Sequence, residues 1–86
     1  MRVEQVEIYS DASNAAILRH PGRRFPGVLI QGDTLRTLLI QVQEVHQAGG
    51  ALDDDSRDGL RELVERLQAL LHHYNETLTA HGLDLP

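Results

Sequence analysis

The chain has 86 residues and a net charge of -5, with arginine as its only strongly basic residue, no cysteine, and only Tyr9, Phe25 and Tyr74 as aromatics. Without cysteine there are no disulfides and no thiolate metal sites, and an acidic chain without a basic stripe lacks the footprint of phosphate-backbone or anionic-membrane binders. The length is that of one domain, residues 1–86, in a size range where a core of Leu, Val and Ile is marginal and a partner chain is a common supplement.

Val3 to Tyr9 alternates through Val6 and Ile8 and is expected to form a half-buried strand, about residues 3–9. Ser10 to Asn14 is turn chemistry, and Ala15 to His20 has the length of a second strand. Two Pro-Gly pairs follow, Pro21-Gly22 and Pro26-Gly27, each with proline preset for the first central turn position and glycine free to take the positive φ of a type II turn. They bracket Arg23, Arg24 and Phe25. Val28, Leu29 and Ile30 read as a third strand, about residues 28–31, and Asp33 is expected to cap the helix that starts at Thr34.

In the first helix, about 34–48, Leu35, Leu38, Leu39, Val42 and Val45 share one face, Ile40 lies off it, and Gly49-Gly50 is the stop. The second, about 56–80, opens behind Asp53, Asp54 and Asp55. It carries Leu60, Leu63, Val64, Leu67, Leu70, Leu71, Tyr74 and Leu78 on one face and stops at Gly82. Leu83, Leu85 and Pro86 form a tail expected to pack back on the domain. The fold class is therefore α+β: a small antiparallel three-stranded meander covered by two antiparallel helices.

The run N-A-A-I-L-R-H-P-G-R-R-F-P-G-V-L-I-Q-G-D-T-L, with V-E-I-Y-S before it and H-Y-N near the end, resembles a family of small bacterial proteins known as a domain of unknown function. The resemblance covers nearly the whole chain. It implies no activity, ligand or catalytic residue.

Candidate sites rest on the residues alone. Arg23, Arg24 and Phe25 combine the arginine and aromatic content that interface hot spots favour, and with Ile40 they are the candidate protein contacts. The alternative is a small-anion site built from Arg19, Arg23, Arg24 and the helix start at Gly32 and Thr34, since guanidinium forks and helix N–H groups both hold anions. The bland reading is a turn whose arginines pair with the protein's own acids, Glu4, Glu7 or Asp11, or with water.

Asp53, Asp54, Asp55 and Asp58 lack the alternating spacing of a calcium loop and suit a helix N-terminus instead. His46 falls on the core stripe, His72, His73 and His81 lack ligand register, and His20 with Asp11 or Asp33 is the one acid–base pairing an enzyme could start from, without a nucleophile. No catalytic set, metal or cofactor is expected. The expectation is a non-enzymatic interaction module acting on a protein partner or on itself as a homodimer, ahead of an anion sensor and an enzyme of unknown class. Without a signal pattern or an apolar span of about 18 residues, a cytoplasmic location is expected.

Overall fold

The computed structural model describes residues 1–85. It contains a three-stranded antiparallel sheet followed by two helices, the α+β content that the sequence implies. The chain divides into two compact units, residues 1–31 and the part from Gly32 onward.

The first unit is the sheet, in the order β1 (Glu7–Ser10), β2 (Ala16–Arg19), β3 (Gly27–Leu29). β1 starts four residues later than alternation suggests, because the ladder begins at Glu7 opposite Arg19. Extending it toward Val3 would bring the chain opposite Pro21, which has no N–H to donate. Val3 and Val6 are accordingly exposed. Ile8 pairs with Leu18 and Ser10 with Ile17, so Tyr9 is an extra residue in β1, a bulge, and its hydroxyl reaches Glu7 two residues before it.

The bend before β2 is held by Ser13, whose Oγ accepts from the Ala15 N–H at 3.3 Å and donates to the Ala15 carbonyl at 3.1 Å. The first Pro-Gly pair makes the expected type II turn, with Gly22 at φ 83° and the Arg23 N–H donating to the His20 carbonyl at 3.0 Å. The second pair makes no such turn. Gly27 has no positive φ and is the first residue of β3, opposite Leu18.

The second unit is a helical hairpin of α1 (Gly32–Ala48) and α2 (Asp54–Ala80). The five-residue connection forces an antiparallel pair, and Gly32 at the start of α1 lies against the ring of Tyr74 late in α2. α1 begins one residue before Asp33, so Asp33 sits in the first turn instead of capping it, and its Oδ1 accepts from the Thr34 N–H at 2.8 Å. Asp53 does cap α2, accepting from the Ser56 N–H at 2.7 Å, and hydrogen bonding from the Ser56 side chain, then from this N–H, holds its carboxyl below the ordinary range. Gly82 at φ 69° closes α2, with the Leu83 N–H reaching the Leu78 carbonyl and the Gly82 N–H the Thr79 carbonyl. Beyond it Leu83 and Leu85 are exposed, while Pro86 lies outside the described residues.

Among the described residues the buried apolar side chains are Leu35, Leu39 and Val64. The facing stripes are narrower than the periodicity suggested. On α1 they take in Leu35, Leu39, Val42 and His46, and on α2 Leu60, Val64, Leu67, Leu71, Tyr74 and Leu78. Leu38, Val45, Leu63 and Leu70 are exposed, because two helices that pack only along a 3-4 seam leave the flanking apolar position uncovered.

Candidate functional site

The Pro21-Gly22 turn and β3 carry the sequence-predicted loop between them. Beside them lies an open concavity of about 440 Å³, lined by Leu18, Val28 and Leu29 from the strands, by Gly27, and by His20, Arg23, Arg24 and Phe25 from the loop. Gly27 stands opposite Leu18 in the ladder, and a Cβ there would meet nothing within 4 Å, so the missing side chain leaves the floor open.

Phe25 is 71% exposed, the posture of a ring held up at a rim. Arg24 stacks on it, with Cζ 5.2 Å from the ring centroid, a cation–π contact that restrains both side chains. Among the described residues neither Arg23 nor Arg24 forms an ion pair with a carboxylate. Their guanidinium forks remain open to a partner's acids.

Arg19 is placed differently. It faces Glu7 across β1 and β2, where its Nη2 pairs with Glu7 Oε1 and its Nε donates to Oε2 at 3.3 Å. Its Nη1 donates to the Arg23 carbonyl at 3.3 Å, so Arg19 ties the sheet to the loop behind the concavity. The Tyr9 hydroxyl donates to Glu7 Oε2 at 2.6 Å. The Arg19 and Tyr9 hydrogen bonds lower the Glu7 pKa below 4.5, and the same carboxylate raises Tyr9 above 10.0. His20 Nδ1 lies 2.6 Å from the Pro21 carbonyl, which fits a proton on Nδ1 and spends that nitrogen on the turn.

The two helix-start residues of the anion reading lie in the second unit. Gly32 is buried beneath the Tyr74 ring, and the Thr34 N–H is taken by Asp33. Both the dipole end and one of its donors are thus answered from within the chain. Ile40 stands on α1, 47% exposed, between Thr37 and Glu44 on the outer side of the hairpin. His72 pairs with Glu76 at 3.0 Å, and His81 Nδ1 meets the Thr77 carbonyl at 2.9 Å. No group of three or more His, Asp or Glu among the described residues could hold a metal ion. No helix among them is long and apolar enough to cross a membrane.

The Arg19–Glu7 pair is among those the bland reading of the loop names, whereas nothing local in the sequence points to Tyr9 joining it or to the open floor over Gly27. The cluster needs the strand register that sets Glu7 opposite Arg19, and the floor needs a glycine to be recognised as a strand residue.

Compared with known proteins, residues 1–86 match the model of a family of unknown function, DUF6959. No curated protein matches the chain, and no solved structure does.

Proposed function

The chain belongs to DUF6959, a family of unknown function, and from its site we propose that it is a non-enzymatic interaction module that docks a segment of another protein at the Arg23–Arg24–Phe25 rim. The observation that carries this reading is the concavity itself. Its floor is apolar, its rim holds an exposed ring, and the two rim guanidiniums pair with no carboxylate among the described residues. Such a surface fits a segment with an apolar anchor for the floor and a flanking Asp or Glu for the forks.

The small-anion reading draws less support. Arg19 is engaged by Glu7, and the helix start at Gly32 and Thr34 is occupied by Tyr74 and Asp33. A lone anion also makes no use of an exposed Phe25 or an apolar floor.

Selection from a displayed random-peptide library tests the proposal. Enrichment of sequences with an apolar residue beside an acid, lost when Gly27→Val fills the floor, is the expected result. Enrichment indifferent to Gly27→Val and to Phe25→Ala would overturn it.

A further inference from the structure

We propose that the exposed apolar side of the α1–α2 hairpin is the seat of a second copy of this chain, joining two hairpins into a four-helix bundle.

The geometry follows from the contact between Gly32 and Tyr74. With heptad letters assigned along the seam, Gly32, Leu35, Leu39, Val42 and His46 take alternating a and d positions on α1. Leu60, Val64, Leu67, Leu71, Tyr74 and Leu78 do the same on α2. In that register Leu38 and Val45 are g residues of α1, and Leu63 and Leu70 are g residues of α2. In an antiparallel pair the two g rows flank the seam on one side and the two e rows on the other. All four apolar residues therefore fall on one side of the hairpin, between 37% and 57% exposed. The e side carries Arg36, Gln43, Arg61, Gln68 and Asn75 and is polar.

Charge argues for a second copy as the occupant. The chain carries a net charge of -5, so two copies repel wherever acids meet. Yet every helix acid from Asp33 to Glu76 falls at a b, e or f position, and none at g or the adjoining c row. The one arginine there, Arg66, is already paired with Glu62 at 2.8 Å. An apolar stripe along both helices with no acid at a g or c position, and with its one neighbouring carboxylate, Glu62, held by Arg66, can meet its own copy with little like-charge cost, as an isologous two-fold contact requires.

Stability favours the same occupant. With Leu35, Leu39 and Val64 as its buried apolar side chains among the described residues, and no cysteine, the chain has little core of its own. Chains of this size commonly complete such a core by oligomerising.

Sedimentation equilibrium on the full chain, across concentration and at low and high salt, tests the proposal. The expected mass is twice 9.6 kDa, with association unchanged or tightened by salt as the net repulsion is screened. The double variant Leu63→Ala, Leu70→Ala is expected to raise the dissociation constant by at least about tenfold, while Gln47→Ala on the outer b row leaves it unchanged.

A monomer at every concentration would overturn the proposal. So would a dimer that survives the double variant, or one that salt dissolves, as pairing of the arginine loop with Asp53 to Asp58 would. If the double variant is unfolded by circular dichroism, the wild-type thermal midpoint decides: a rise with protein concentration supports the dimer, and a flat midpoint overturns it.

Discussion

The ring of Tyr74 occupies the space that a side chain on residue 32 would need: a Cβ built on Gly32 would lie 2.2 Å from Tyr74 Cζ. Gly32→Ala is therefore expected to push the ring from its half-buried place and destabilise the hairpin by about 1–2 kcal/mol. Denaturant unfolding measures the loss. In combination with Tyr74→Leu, which vacates the space, the two effects should be less than additive.

A second expectation separates two neighbours on α1. Leu39 is 7% exposed and Ile40 is not covered, so Leu39→Ala should lose about 2–4 kcal/mol and Ile40→Ala less than about 0.5 kcal/mol. Equal losses in chemical denaturation would mean that the seam runs along a different face.

The Glu7 cluster predicts a pH signature. Because Arg19 and Tyr9 lower the Glu7 pKa, its contribution to stability is fully present above the ordinary value of 4.5 and is lost only as pH falls through the lower folded value. Carboxyl NMR titration should place Glu7 below 4.5. Glu7→Gln should remove that part of the acid dependence and bring the Tyr9 phenol, raised above 10.0 by the carboxylate, back down in an alkaline absorbance titration.

The two Pro-Gly pairs should respond in opposite ways. Gly22 sits at φ 83°, where a Cβ is strained, so Gly22→Ala is expected to lose about 1 kcal/mol. Gly27 is a strand residue with open space before it, and Gly27→Ala or Gly27→Val should leave thermal stability unchanged or raised.

These residues also show what the sequence could and could not convey. The long helix was legible because Asp53 caps it, Gly82 closes it and a leucine stripe runs between them, all local signals. The same stripe overstated the seam. Leu63 and Leu70 sit beside Val64 and Leu71 at helical spacing, and periodicity alone does not distinguish a residue in the seam from one flanking it. Pro26-Gly27 resembled Pro21-Gly22 as a dipeptide, but only strand pairing with Leu18 decides that Gly27 is extended. The arginine loop was legible as a loop, whereas the separate fate of Arg19 depended on its register opposite Glu7. Gly32 gave no hint of its burial, since a glycine carries no polarity to read.

The most direct test of the loop as a contact surface is calorimetric binding of an enriched apolar–acidic peptide to wild type, Phe25→Ala and Arg24→Ala. Both variants should weaken binding by about tenfold or more with unchanged thermal unfolding, since one removes the exposed ring and the other the guanidinium stacked on it 5.2 Å away. Binding that Phe25→Ala leaves intact would contradict the account.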